Sequence, residues 1–200
     1  MTEPARREPP RPLDVRMGSS TNALRPISSA ERSLAAGRRQ WLGLGSIALA
    51  AVCADQLTKV IVSSALGLGE SVQIAGPFSI HHVQNSGIAF GLFADATSIV
   101  IGLTAVAVSW MLVFFGRSGR RHPILPVALG FVLGGSISNL FDRIRLGHVT
   151  DFLDVRFWPH FNLADSFIVV GIAILFAALA AADRRPTGTT PRGHSPLSRL

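Results

Sequence analysis

Four long, mostly uncharged apolar stretches restrict what this 200-residue chain can fold into. They run from about residue 41 to 66, 98 to 115, 124 to 141 and 161 to 182. A helix needs roughly 20 predominantly apolar residues to cross the hydrocarbon core of a bilayer, with a range of about 17–25. Charged residues make up only 16% of the chain, whereas soluble proteins carry about 25%. The sequence therefore predicts an all-α membrane protein with four transmembrane helices.

The basic residues predict how these helices are oriented. Fifteen of the nineteen Lys and Arg residues lie before residue 40, between 116 and 122, or after 183. With four spans, these three segments fall on one side, which the positive-inside rule assigns to the cytoplasm. Residues 1–40 and 183–200 show no periodic pattern of apolar residues, so we predict that they are disordered cytoplasmic tails. They flank a membrane domain at residues 41–182. Because topology explains the positive charge, we expect membrane lipids but no nucleic acid as partners. We also expect a monomer.

The first segment predicted to lie outside the membrane, residues 67–97, has strand-like features. Apolar and polar residues alternate over 71–74, residues 78–83 follow a proline and favour a strand, and Asn85-Ser86-Gly87 is a turn signal. The sequence therefore predicts a small extracytoplasmic β-structured cap on the four helices.

Polar residues from separate parts of the chain are predicted to meet near the outer face of the membrane. Asp55 follows fourteen residues of the first stretch, which places it roughly 21 Å from the inner edge at about 1.5 Å per residue. Lys59 lies one turn further on the same helix face. The other polar residues at this level are Asn139, Asp142 and Arg143 at the end of the third stretch, Asp151 in the connection, and Asn162 and Asp165 at the start of the fourth. Ionisable groups in membrane spans are costly and usually functional, so we expect a site at this level.

Paired carboxylates at such a site favour acid–base chemistry. Two neighbouring carboxyl groups do not both ionise easily, so one keeps a proton. The charged one then activates water while the neutral one donates to the carbonyl under attack, as in aspartyl proteases, with no metal and no Ser or Cys nucleophile. From residue types alone, Asp142 and Asp151 are nearly equal candidates for the second acid beside Asp165.

The alternative function is a small proton-coupled membrane transporter or channel, which also keeps charged residues in its spans. Transporter sites tend to lie near the bilayer midplane between internal repeats. This sequence has no recognisable internal repeat, and its polar groups lie to one side. We therefore favour the protease.

Five motifs in order resemble those of the bacterial lipoprotein signal peptidases, also called signal peptidase II. They are DQLTK at 55–59, NSGIAF at 85–90, GGSISNLFDR at 134–143, GHVTDF at 147–152 and FNLADS at 161–166. The resemblance covers roughly residues 41–182 and implies four helices with an outer β-cradle. Three positions depart from the family pattern, Ser86, Ile88 and Ser138, where Thr, Ala and Gly are usual. None of them removes a catalytic group.

The resemblance implies roles for individual residues. Asp151 and Asp165 match the family's catalytic pair, which makes Asp142 a structural partner of Arg143. Positions expected to bind substrate or support the site are Asn85, Asn139, Arg143, Asn162, Asp142, Asp55 and Lys59.

The resemblance also implies the substrate and the location. The substrate is a prolipoprotein whose mature N-terminus is a diacylglyceryl-modified Cys, with cleavage just before that Cys. Its signal helix is expected to pack among the first, third and fourth spans. The location implied is the bacterial cytoplasmic membrane, with the active site near the outer face.

The histidines do not predict a metal site. Zinc sites use three or four ligands with recognisable spacing, and adjacent residues in a strand, such as His81 and His82, point to opposite faces. His148 lies far from both in the sequence. We therefore expect no metal and no cofactor, and we interpret Asp154 and Arg156 as a solvated loop pair.

Overall fold

The computed structural model describes residues 34–87 and 97–183, and in this part of the chain it contains four long helices and four strands. In chain order they are α1 (Arg38–Ala65), β1 (Ser71–Ala75), β2 (Phe78–Asn85), α2 (Thr97–Ser118), α3 (Leu125–Leu146), β3 (Val149–Val155), β4 (Trp158–Phe161) and α4 (Leu163–Asp183). All four helices are long and apolar enough to cross a membrane. The predicted fold class is confirmed.

Helix α3 continues five residues beyond the predicted end of its apolar stretch. The charged side chains of Asp142 and Arg143 had marked that end in the sequence, but both are buried in the protein and do not terminate the helix. Gly147 terminates it, with a positive φ of 80° and its N–H bonded to the carbonyl of Arg143, a conformation that glycine adopts without steric cost.

Residues 34–39, which the sequence assigned to the N-terminal tail, make defined contacts in the structure. The N–H of Ala36 donates to the carbonyl of Gly116, and the N–H of Arg120 donates to the carbonyl of Leu34. These bonds tie the segment before α1 to the end of α2 and to the connection that follows it. The remainder of the predicted tails, residues 1–33 and 184–200, lies outside the described residues.

Helix α3 is the central helix of the bundle. It packs against α1, α2 and α4, and more than half of the residues in its most apolar stretch are buried. Two adjacent glycines allow this close packing, because a Cβ on Gly134 would lie 2.8 Å from the Cβ of Ala51 in α1. A Cβ on Gly135 would collide with the carbonyl oxygen of Ala164 in α4. Small residues of this kind let membrane helices approach closely, and here they bring polar groups of α1, α3 and α4 within bonding reach.

The outer surface of the bundle is apolar. Large hydrophobic side chains stand exposed along α2 and α4, among them Val106, Trp110 and Phe176. The buried apolar cluster inside is small by comparison and consists of Leu44, Phe115, Leu129 and Leu133. Exposed apolar side chains around a bundle with a polar interior are what a hydrocarbon solvent favours.

The strands form one antiparallel sheet in the order β1-β2-β3-β4. The predicted strands β1 and β2 are confirmed, whereas β3 and β4 were not predicted. The sheet lies at one end of the bundle, because it connects the end of α1 to the start of α2 and the end of α3 to the start of α4. The basic connection between α2 and α3 lies at the opposite end.

Candidate active site

A buried ionic cluster joins α1 to α3. Lys59 Nζ lies 2.7 Å from Asp55 Oδ2 on its own helix and 2.7 Å from Asp142 Oδ2 on α3. Gln56 Nε2 donates to the other oxygen of Asp142 at 2.8 Å. The predicted pairing of Asp142 with Arg143 is therefore wrong. Neighbouring residues on a helix point about 100° apart, and the carboxylate of Asp142 faces α1.

Asp55 also fixes the start of α4. Its Oδ1 accepts a hydrogen bond of 2.8 Å from the backbone N–H of Ala164, in the first turn of that helix. A carboxylate is stabilised at this position by the unpaired N–H groups of the helix N-terminus. The hydroxyl of Ser138 donates to Asp55 Oδ2 at 2.7 Å and accepts from Gln56 Nε2 at 3.0 Å. Ser138, which departs from the family pattern, is thus fully buried and hydrogen-bonded.

Asn139 connects this ionic cluster to Asp165. Its Oδ1 accepts from Lys59 Nζ at 3.0 Å, and its Nδ2 donates to Asp165 Oδ1 at 2.8 Å. Because an ammonium group only donates hydrogen bonds, the amide oxygen must face Lys59, which leaves the amide N–H groups for Asp165. The charge of Lys59 thereby orients a donor toward the carboxylate.

Asn162 and Asp165 form a capping box at the start of α4. The N–H of Asp165 donates to Asn162 Oδ1 at 3.0 Å, and the N–H of Asn162 donates to Asp165 Oδ2 at 3.1 Å. This reciprocal pair satisfies two N–H groups that a helix N-terminus otherwise leaves open. The sequence signal was an Asn followed three residues later by an acid at a helix start, which sequence reasoning did not use.

Asp151 lies in the middle of β3 and receives two amide donors. Asn162 Nδ2 donates to its Oδ1 at 2.7 Å, and Asn85 Nδ2 at the end of β2 donates to its Oδ2 at 2.9 Å. Burial raises the pKa of Asp151 from 3.8 to about 6, against the opposing effect of the Asn85 hydrogen bond, and the nearby charge of Asp165 adds to the increase. A carboxyl group with this pKa exchanges a proton near neutral pH.

Asp151 and Asp165 line one cleft of about 370 Å³ between α2, α4 and the sheet, with α3 beneath it. The wall contributed by the helices is largely apolar and includes Val100, Ile168 and Val169. The second span also lines this cleft, and the packing of a substrate helix among spans one, three and four stays a prediction. Two carboxylates beside an apolar groove suit an extended substrate with an apolar segment.

Arg143 brings a cation to the same cleft. Its Nη2 donates to the carbonyl of Gly87 at 2.8 Å, just after the Asn85 turn, where the N–H of Gly87 bonds to Asn85 Oδ1 at 3.0 Å. Arg143 and Asn85 therefore fix the connection that leaves β2. Ile88, one of the departures from the family pattern, lies outside the described residues.

The charges of the site do not balance when every acid is ionised. Lys59 is shared by Asp55 and Asp142, which leaves Arg143 near two further carboxylates. Four buried or half-buried carboxylates with two cations favour the retention of at least one proton. Of these four, the two that line the cleft are Asp151, which is buried, and Asp165, which is half-buried.

All nine residues predicted for the site lie in one connected set of contacts. They are Asp55, Lys59, Asn85, Asn139, Asp142, Arg143, Asp151, Asn162 and Asp165. Gln56 belongs to the same set and was not predicted. It lies three residues before Lys59 on the same helix, but nothing in the sequence indicated its contacts with Ser138 and Asp142 on α3.

A family model described as signal peptidase (SPase) II matches residues 47–181 of the chain. The chain belongs to the signal peptidase II family. A relative from Symbiobacterium thermophilum, named lipoprotein signal peptidase, is 38% identical over 147 residues, which cover 70% of this chain and 96% of the relative. One from Moorella thermoacetica with the same name is 40% identical, covering 64% and 87%.

Solved structures agree with the family assignment. A bacterial membrane enzyme matches the fold with a TM-score of 0.65 and 25% identity, covering 74% of this chain and 92% of that one. The chain is therefore a multi-pass membrane protein of the signal peptidase II family, and the family's four-helix expectation is confirmed.

Proposed function

We propose that this protein is an aspartic endopeptidase that removes the signal peptide from diacylglyceryl-modified prolipoproteins, cutting just before the lipidated Cys. Membership of the signal peptidase II family and the name lipoprotein signal peptidase of its relatives support the activity. The observation that carries the assignment of residues is that Asp151 and Asp165, from different elements, face one cleft and share contacts with Asn162. This arrangement provides two coupled carboxyl groups beside an apolar surface.

The two carboxyl groups would hold one proton between them in the active form. The charged member takes a proton from a water molecule, and the resulting hydroxide attacks the scissile carbonyl carbon. The neutral member donates its proton to the carbonyl oxygen as the tetrahedral intermediate forms. Collapse of the intermediate breaks the C–N bond, and a proton returns from the pair to the leaving amine. Because the two carboxyl groups share one proton, their apparent pKa values belong to the pair. The group that acts as base in the first step acts as acid in the second.

The surrounding amides keep the two carboxyl groups in place during these transfers. Each oxygen of Asp151 and of Asp165 receives one N–H donor, so neither side chain rotates freely. Fixed donors of this kind reduce the reorganisation required in the transition state. Arg143 and Asn85 lie at the cleft and are suited to hold the substrate backbone or the developing oxyanion.

The cleft between α2 and α4 fits a substrate that approaches from the bilayer. Val100, Ile168 and Val169 offer apolar contacts to a signal helix, and Val169 is 66% exposed at the lipid-facing rim. The acyl chains on the substrate Cys would remain in the membrane while the bond before that Cys reaches Asp151. A soluble peptide lacks both contacts, so we expect it to be a poor substrate.

We place the sheet and the site on the outer face of the bacterial cytoplasmic membrane, with both termini inside. The support is the distribution of basic residues, which fall in the tails and in the connection opposite the sheet. The expected monomer stays a prediction. The transporter alternative is not favoured, since the family and its relatives are signal peptidases.

The test is cleavage by the purified protein in detergent micelles. A diacylglyceryl-modified prolipoprotein is expected to yield a shortened product whose mass corresponds to a chain beginning at the lipidated Cys. The same prolipoprotein without the lipid serves as the control and is expected to stay intact. Absence of product from the lipidated substrate, with protein that remains folded, would contradict the proposed function.

A further inference from the structure

Three potential metal ligands converge on the sheet, away from the carboxylate pair. His81 Nδ1 in β2 lies 3.0 Å from His160 Nε2 in β4, and His160 Nε2 lies 3.7 Å from Asp154 Oδ1 in β3. One ligand atom from each residue falls within 4.8 Å of the other two. We propose that His81, Asp154 and His160 form a binding site for a divalent transition-metal ion, with Zn²⁺ as the best match.

The register of the sheet explains why these side chains meet. Ser79 pairs directly with Asp154 across β2 and β3, and residues two apart in a strand share a face, so His81 points to the same side as Ser79. His82 points to the other side, where it is buried with its Nδ1 2.9 Å from the carbonyl oxygen of Leu66. A register shift between Leu153 and Val155 lies at Asp154, and such bulges re-aim side chains.

The interpretation of Asp154 as one half of a solvated loop pair with Arg156 is wrong. Asp154 lies in β3, and its Oδ2 accepts a hydrogen bond of 2.8 Å from the hydroxyl of Ser79. That bond leaves Oδ1 directed at His160. Carboxylate ligands of metals are commonly held by an outer hydrogen bond of this type, which fixes the orientation of the free oxygen.

One hydrogen bond cannot join all three atoms, so the partly exposed Oδ1 of Asp154 is left to solvent or to a cation. The single nitrogen His160 Nε2 faces both the ring nitrogen of His81 and the carboxylate oxygen of Asp154. If His160 Nε2 carries a proton, it donates to only one of these two partners. If His81 Nδ1 carries the proton instead, it donates to His160 Nε2, and the carboxylate receives no donor from either ring. A cation at the centre of the triangle accepts a lone pair from all three atoms.

The spacing fits zinc with small side-chain adjustments. Zn²⁺ binds His nitrogen at 2.0–2.1 Å and carboxylate oxygen at about 2.0–2.2 Å, so tetrahedral ligand atoms lie about 3.4 Å apart. Two distances in the cluster, 3.0 and 3.7 Å, lie on either side of that value, and the third pair of atoms, within 4.8 Å, would draw closer around the ion. Two imidazoles and one carboxylate complete three corners of a tetrahedron and leave the fourth for water or another ligand.

Sequence reasoning dismissed a metal because it compared His81 with His82 and His148. The actual partner, His160, lies 79 residues away in the sequence. His160 also lines the active-site cleft together with Asp151. A bound ion would therefore tie β2, β3 and β4 together and fix the wall of the cleft formed by β4.

Zinc titration of the full-length protein in detergent, purified without a polyhistidine tag and stripped with a chelator, tests the site. Wild type is expected to bind one equivalent of Zn²⁺ at this cluster, and His81→Ala and His160→Ala are each expected to weaken that binding by at least about tenfold. Zn²⁺ is also expected to raise the thermal unfolding midpoint of wild type but not that of His160→Ala. The matched control is His148→Ala, which removes a histidine outside the cluster and is expected to bind as wild type does.

A conservative variant separates ligand loss from misfolding. Asp154→Asn keeps the size of the side chain, and its circular dichroism without metal is expected to match that of wild type while its zinc affinity falls. Co²⁺ absorption supplies a second readout, since a tetrahedral site gives visible bands in wild type that His160→Ala lacks. Equal zinc affinity of wild type and His160→Ala, or no binding by wild type at about 0.1 mM zinc, would overturn the proposal.

Discussion

Replacement of Asp151 by Asn is expected to change how the stability of the protein depends on pH. The pKa of this carboxyl is raised from 3.8 to about 6 in the fold. At 1.36 kcal/mol for each pH unit between these values, ionisation of buried Asp151 costs the folded state about 3 kcal/mol. The Asn side chain carries no such cost. It accepts from only one of its two neighbouring amides, but that loss of about 1–3 kcal/mol does not vary with pH.

The direction of this pH dependence follows from the pKa of Asp151, which is higher in the folded state than in the unfolded state. The contribution of Asp151 to stability is fully present below about pH 4 and is lost as the pH rises through about 6. The free energy of unfolding of wild type, measured relative to Asp151→Asn, should therefore fall by about 2 kcal/mol between pH 4 and pH 8. Unfolding by SDS or by heat in mixed micelles at several pH values measures this difference. A difference that is constant across that range, or that rises with pH, would refute the argument from burial.

Three further substitutions test the contacts that build the site. Lys59→Met leaves Asp55 and Asp142 buried without their cation, and we expect the free energy of unfolding to fall by about 3–5 kcal/mol. Gly135→Ala forces α3 away from α4 and should destabilise the protein by about 1–3 kcal/mol, with a further loss of cleavage. Asn162→Ala removes a donor to Asp151, the proposed catalytic acid, and the cap of α4, so cleavage should fall roughly 100-fold. Unfolding titrations and single-turnover cleavage measure these effects.

Each of these substitutions has a matched control. Val60→Met lies beside Lys59 but is 61% exposed, and it should change stability by less than about 0.5 kcal/mol. Gly102→Ala meets no atom within 4 Å and should be tolerated, unlike Gly135→Ala. Asn162→Ser keeps a helix cap but lacks the amide donor, so it should retain stability and still lose cleavage. Equal effects of a substitution and its control would contradict the contact in question.

The helices and the first hairpin were predictable because local patterns encode them. Uncharged stretches of sufficient length gave α1 to α4, and alternation gave β1 and β2. Strand β3 was not predicted because its first four residues, Val149 to Phe152, are all buried, so buried and exposed positions do not alternate along it. Its pairing with β2 depends on a partner more than sixty residues away, which no local pattern reports.

The depth of the polar residues was predictable, but their partners were not. Helix length placed Asp55, Lys59 and Asp142 at one level of the membrane. The choice between Lys59 and Arg143 as the partner of Asp142 depends on how the helices are rotated about their axes, which Gly134 and Gly135 determine through close packing. The same reason explains the missed pairing of His81 with His160, since it requires the register of three strands.

Single-turnover cleavage of a lipidated prolipoprotein by acid-to-amide variants tests the central claim most directly. Asp151→Asn and Asp165→Asn should each lower the rate by about 10²–10⁴-fold while the protein stays folded, because each removes one member of the proposed proton-sharing pair. Glu70→Gln, at an exposed position before β1, is the control and should cleave at the wild-type rate. Cleavage by folded Asp151→Asn at the wild-type rate would contradict the assignment of Asp151 and Asp165 as the catalytic pair.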